Sequence, residues 1–318
     1  MKDKATFIIC TEQGVLEYKS ILFVKSLRQF GGKFKNAEVL SYSPRKDFQP
    51  SSNTKNILKS LGVHLISENL NTEFAHYGFG NKPLVCGHAE KNTNSDLIYF
   101  FDSDQIILEE PSFLELAECD IALRPVEQKG VGAESSTDPN FKFWKEAYKT
   151  LDIVPPATKV LTGLDLKNIY PYWNVGLVPV KASKGLFQEW ESVFIHLMRK
   201  KIVPDMGITF MDQTSCALTV LKKDPLLKEL PLSYNYPINA QDKIPEVNKV
   251  NDFGEIVSAH YHKLFDQHVR VNPLNELFSS SEKTTWVEEE LKVMGVLPKN
   301  TISYFFRKGR CKIKAALK

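Results

Sequence analysis

The chain has little that would mark it as secreted, membrane-spanning or nucleic-acid-bound. It has five cysteines, Cys10, Cys86, Cys119, Cys216 and Cys311, and no Cys-x-x-Cys pair. The odd count, with several of them inside apolar runs, argues against a disulfide framework or a zinc site and points to a reducing compartment. No stretch approaches the roughly 18 apolar residues that a membrane span requires. The first apolar run, Ala5–Cys10, is too short for the core of a signal peptide. A cytoplasmic protein is therefore expected. The formal charge is only +3 over 318 residues, too little to suggest nucleic acid as a partner. Internal repeats and low-complexity tracts are also missing, which sets aside solenoids and linkers.

What is present suits a folded α/β protein. Hydrophobic residues make up 42% and charged residues 25%, enough apolar material for one large core. Strand and helix patterns alternate through the first third. The spacing predicts strands at 5–10, 38–42 and 63–67, and helices at 15–30 and 53–61. Gly31-Gly32 and Gly62 stop the two helices. A helix over 80–91 leads to the near-continuous apolar run 96–101, the pattern of a central parallel strand covered on both faces. Shorter strands are expected at 106–108, 121–124 and 175–180. Helices are expected at 141–151, 186–200 and 212–221. Residues 125–170 read as a long excursion over the sheet rather than a domain boundary. The fold expected is a single α/β domain over 1–300, with a mostly parallel central sheet flanked by helices. Residues 301–318 are expected to form a separate tail.

The strongest chemical signal is Tyr99-Phe100-Phe101-Asp102-Ser103-Asp104. Two carboxylates follow a buried strand at the edge where open parallel sheets bind ligands. Hard cations such as Mn²⁺ or Mg²⁺ take carboxylate oxygens together with substrate phosphates. A solvated Asp pair in a turn would have the same short pattern.

In order and spacing the sequence resembles the GT-A glycosyltransferases, and more particularly the retaining galactosyltransferase and glycogenin group. The resemblance runs over about residues 5–265. It implies that the loop Thr11–Gly14, with Thr11 and Gln13, holds the nucleobase, and that Lys82 faces the donor phosphates. Asp102, Ser103 and Asp104 would bind the donor and its metal. Tyr172-Trp173-Asn174-Val175-Gly176 is similar to the family's aromatic-Asn-x-Gly, whose Asn faces the donor sugar. Met211-Asp212-Gln213 is similar to its Asp-Gln pair beside that sugar. His260 and Lys263 match its late metal ligand and phosphate-binding lysine, although Leu264-Phe265 stands where the family usually has Lys-Pro-Trp.

Each of these residues also has a plain structural reading. Asn174 suits a strand end. Asp212, followed by Thr214 and Ser215, suits a helix N-cap. Lys82, just before Pro83, suits a surface lysine. At least one of His260 and His262 suits a surface loop, although in an extended segment the two point the same way, and a histidine nitrogen favours Mn²⁺ over Mg²⁺.

The activity implied is metal-dependent transfer of a sugar from a nucleoside-diphosphate donor, a UDP-sugar by resemblance, to a glycan, lipid-linked or protein acceptor. Three other readings compete. A haloacid-dehalogenase-type phosphatase places its Asp-x-Asp after the first strand, whereas about a hundred residues precede this one. A nucleotidyltransferase would show a Gly-rich basic loop where Thr11-Glu12-Gln13-Gly14 stands. A catalytically inactive sugar-nucleotide or glycan-binding protein would share the fold. The tail from Tyr304 to Lys318 has aromatic and basic residues and no acidic one, which suits peripheral contact with an anionic membrane and equally a solubilising tail.

Overall fold

The computed structural model describes residues 4–250, 252–266, 274 and 277–297. The proposed tail and Cys311 lie outside them. The described strands are β1 (Ala5–Cys10), β2 (Glu38–Tyr42), β3 (Val63–Ile66), β4 (Leu97–Phe101), β5 (Gln105–Ile107), β6 (Ile121–Pro125), β7 (Val160–Leu161), β8 (Asn168–Ile169), β9 (Trp173–Asn174), β10 (Leu177–Lys181), β11 (Leu227–Glu229), β12 (Tyr236–Pro237) and β13 (Ser258–His260). The helices are α1 (Val15–Phe30), α2 (Ser52–Ser60), α3 (Asn81–Asn92), α4 (Phe141–Thr150), α5 (Leu186–Arg199), α6 (Met211–Lys223) and α7 (Glu282–Val293).

The main sheet runs β11-β6-β10-β4-β1-β2-β3, with β9 paired to β6. Along that path all pairings are parallel except those of β10, which lies antiparallel between β4 and β6. Every residue of β4 is buried, as its unbroken apolar sequence requires of a central strand. One core lies under α3, α5 and α6. A second lies under α1 and α2 on the other face. A smaller sheet, β12-β13-β5, carries a third core with α7. No helix among the described residues is long and apolar enough to cross a membrane.

Local chemistry sets the ends that matter. Gly14 takes φ +92, a conformation costly for any residue with a Cβ, and turns the chain from β1 into α1. Its N–H donates to Glu17 Oε1 at 3.1 Å. The other Glu17 oxygen accepts from Ser51 and Thr54, which ties the start of α1 to that of α2.

The expected strand 175–180 is broken. Trp173-Asn174 pairs with β6 and Leu177–Lys181 pairs with β4, with Val175-Gly176 between them. The Asn174 side chain folds back to accept the Gly176 N–H at 2.7 Å, so that stretch leaves the ladder. The other elements start and stop within about two residues of expectation, the usual uncertainty of an element's end.

Candidate functional site

The C-terminal ends of β1 and β4 meet beneath a cavity of about 640 Å³. That size suits a bound small molecule with several polar anchors. Ser103 Oγ donates to the Cys10 carbonyl and locks the two strand ends together. The Asp102 N–H donates to Gly176 O at 2.7 Å, which fixes the turn carrying both carboxylates.

The smaller sheet brings a distant residue to that turn. His260 on β13 pairs opposite Gln105 on β5, and the Tyr261 N–H donates to Asp104 O at 3.0 Å. His260 Nε2 consequently lies 3.0 Å from Asp104 Oδ1 and 3.9 Å from Asp102 Oδ2. The His262 ring packs on the His260 ring with centroids 3.7 Å apart. One ligand atom each from Asp104, His260 and His262 lie within 4.8 Å of one another. A carboxylate oxygen facing imidazole nitrogens is a donor set suited to Mn²⁺, Fe²⁺, Co²⁺ or Zn²⁺.

Buried cations balance the carboxylates. Lys82 is 8% exposed; its Nζ lies 3.0 Å from Asp102 and 3.0 Å from Asp212. Burial would lower its pKa, but the two carboxylates outweigh that and raise it. Lys19, on the buried face of α1, lies 3.7 Å from Asp104 and 3.4 Å from Asp266, and donates to the His262 carbonyl at 2.5 Å. Burial would raise the Asp104 carboxyl, yet His260 and Lys19 hold it well below the usual range. Burial would also lower the His260 ring, but Asp104, Asp102 and Glu127 raise it. His262 is pushed down to about 4 by burial and by the charge on His260.

Lys82, Asp102, Ser103, Asp104, Asn174, Asp212, Gln213, His260 and Lys263 all line this one cavity. Several plain structural readings therefore fail. Lys82 is buried in an ion pair rather than lying on the surface. Asp212 is not a cap, because α6 begins at Met211 with Phe210 at its N-cap. The Asp212 carboxylate instead accepts from Tyr77 Oη at 3.0 Å and meets Lys82. His260 is buried on β13, and His262, half-buried in the turn after it, also lines the cavity.

Thr11 and Gln13 are not among the lining residues. Side chains alternate at the end of β1, so Cys10 and Glu12 face the cavity while Thr11 faces the interior. Thr11 Oγ1 donates to Ser20 Oγ and accepts from Ser41 Oγ, each at 2.7 Å. Gln13 is exposed.

Sequence reasoning passed over Glu12, Arg45, Glu127 and Asn235. Glu12 is 2% exposed and is held by Arg45, whose Nε lies 2.9 Å from Oε1. Arg45 and Glu127 follow the ends of β2 and β6 at the same sheet edge as Asp102, a signal the sequence did contain. Asn235 had none.

Of the glycines that line the cavity, Gly176 is the most crowded. A Cβ there would lie 2.9 Å from Asn235 Oδ1, 3.0 Å from Asn174 Oδ1 and 3.0 Å from His260 Nδ1. Gly176→Ala is expected to destabilise the protein by about 1–3 kcal/mol through overpacking. Urea denaturation checks this, and an unchanged midpoint would mean that the three side chains can give way.

A mostly parallel sheet with a carboxylate pair at its edge is the GT-A architecture, and the sequence places the chain among glycosyltransferase domains. Residues 7–224 match the family model of the Rhodobacterales glycosyltransferase domain, and the chain belongs to that family. Among solved structures it is similar to an active-site mutant of LgtC, with a TM-score of 0.51 and 10% identity over 91% of this chain and 95% of that one. It is also similar to the bifunctional glycosyltransferase WbbM, with a TM-score of 0.49 and 13% identity over 91% of this chain. A third is GlyE of Streptococcus pneumoniae, with a TM-score of 0.49 and 15% identity over 92% of this chain. The chain spans 52% of the length of WbbM and 64% of that of GlyE. No curated protein matches it in sequence.

Proposed function

We propose that this protein transfers a sugar from a nucleoside-diphosphate donor, a UDP-sugar, to a glycan, lipid-linked or protein acceptor, with a divalent cation held by Asp102, Asp104 and His260. The observation that carries this reading is the Asp104–His260–His262 cluster at the sheet edge, inside a cavity that also holds Lys82 and Asp212. The donor set fits the ion. His260 Nε2 lies against a carboxylate oxygen, an arrangement satisfied by a proton or a cation between them. His262, kept neutral at ordinary pH, has a lone pair to offer as a further ligand.

A bound cation would offset the charge that develops on the departing diphosphate. The protein's own groups supply the rest. Lys263, exposed at the cavity, adds positive charge beside the diphosphate. Lys82 sets the orientation of Asp102 and Asp212 by bridging them. Asn174, Asp212 and Gln213 contact the donor sugar. Gln213 is steadied by a 3.3 Å hydrogen bond to Tyr172 Oη.

The test is nucleotide release from a panel of UDP-, GDP- and other activated sugars, with Mn²⁺, Mg²⁺ or chelator. Mn²⁺-dependent release from one donor class is expected. Failure of every donor both to react and to bind would leave an inactive binding protein on this fold.

A further inference from the structure

His260 stands at the end of a chain of hydrogen bonds that begins at Glu127, and the direction of that chain is determined. We propose that Glu127, Asn174 and Asn235 form a relay that keeps a proton on His260 Nδ1, leaving Nε2 as the atom offered to the cation.

An ionised carboxylate only accepts hydrogen bonds. Glu127 is ionised: burial would raise its carboxyl, but the Arg124 guanidinium beside it outweighs burial and holds it low. Asn174 Nδ2 lies 3.0 and 3.2 Å from its two oxygens, so this end of the Asn174 amide must be the NH₂ group. The other end, Oδ1, receives the Gly176 N–H at 2.7 Å, a backbone donor that cannot reverse. Fixed partners at both ends allow one orientation of that amide.

Asn174 Oδ1 also receives Asn235 Nδ2 at 2.8 Å. The Asn235 amide is thereby turned so that its Oδ1 faces His260 Nδ1 at 2.9 Å. An oxygen there requires Nδ1 to donate. The opposite orientation of Asn235 would set its oxygen against the Asn174 oxygen and its NH₂ against His260. Nδ1 would then have to accept, and the ring proton would lie on Nε2, in the path of the cation.

The relay is rigidly mounted. The Asn235 N–H donates to Ser258 Oγ at 2.7 Å, and its carbonyl accepts from Arg124 Nη2 at 3.0 Å. Arg124 also pairs with Glu127, so one guanidinium clamps both ends. Asn235 holds φ +52, a left-handed conformation that Asn tolerates better than most residues. Gly176 leaves the room, since a Cβ there would meet both amides and the imidazole. Partners of this kind orient a ligating ring, and losing one costs about 10–100-fold in metal affinity.

This inference rests on the metal reading above, and the test separates the two. Mn²⁺ affinity is measured by calorimetry for the unchanged chain and for Asn235→Ala and Asn235→Asp. Asn235→Ala is expected to bind Mn²⁺ about 10–100-fold more weakly. Asn235→Asp, which still accepts from Nδ1–H but sets a carboxylate oxygen against Asn174 Oδ1, should fall between Asn235→Ala and the unchanged chain. In parallel, ¹⁵N-edited NMR follows the His260 ring in the unchanged chain, with diamagnetic Mg²⁺ and metal-free at a pH high enough that the ring carries a single proton. A solvent-protected proton on Nδ1 is expected in both forms. A bare Nδ1, or Asn235→Ala with Mn²⁺ affinity intact, would overturn the relay. If the chain binds no divalent cation at all, the metal reading fails, while the ring proton of the metal-free chain still decides the relay. That measurement needs no variant, so a misfolded Asn235→Ala would not stand in its way.

Discussion

Asp104→Asn is expected to lower Mn²⁺-dependent nucleotide release by about 10³-fold or more, with the fold retained. Asp104 is the carboxylate of the three-residue cluster with His260 and His262. The amide keeps the size of the side chain and an oxygen for His260, but it removes the charge that a cation requires. Lys19 keeps Asp266 as a partner at 3.4 Å, so no buried cation is stranded. The assay is release from the best donor, at a metal concentration that saturates the unchanged chain, with circular dichroism as the check on folding. A variant within about threefold of the unchanged chain would remove Asp104 from the proposed metal site, and the metal-dependent reading with it.

Lys82→Met is expected to destabilise the metal-free protein by about 3–5 kcal/mol. The lysine side chain is 10% exposed and bridges Asp102 and Asp212, whose side chains are 19% and 4% exposed. Pair attraction alone does not decide the size of the effect, because burying an intact ion pair is close to break-even. The loss comes from leaving two carboxylates without their cation in a place that water reaches poorly. The corollary is a non-additive double variant. Lys82→Met with Asp212→Asn should be less destabilised than Lys82→Met alone, since the amide removes one of the stranded charges. Urea denaturation of the unchanged chain, the two single variants and the double variant is the measurement. A double variant as unstable as the sum of the singles would show that Lys82 acts by packing rather than by charge.

The legible part of the site is the part that depends on one strand. Tyr99–Phe101 reads as buried, and the carboxylates that follow it fall at the sheet edge because the apolar run must end where the chain leaves the core. The same logic was available for Arg45 after β2 and for Glu127 after β6. Neither was singled out, because a lone charged residue after a short strand resembles any solvated loop. Thr11 and Gln13 show the limit in the other direction. The loop after β1 does border the cavity, but pleating sends Glu12 into it and Thr11 away from it. A one-residue difference decided Asp212 as well. With α6 starting at Met211, its carboxylate turns to Tyr77 and Lys82 rather than capping the helix.

From its amino acids alone this protein was bound to be an α/β chain with a buried central strand ending in Asp102-Ser103-Asp104. Local periodicity and the cost of burying charge are enough for that. Tertiary structure decided which polar groups face one another. The antiparallel register of β13 on β5 sets His260 against Asp104 across 156 positions. The break at Val175-Gly176 lets Asn174 join Glu127 to Asn235. Strand register and the direction of each amide depend on partners from elsewhere in the chain, and no local pattern encodes them.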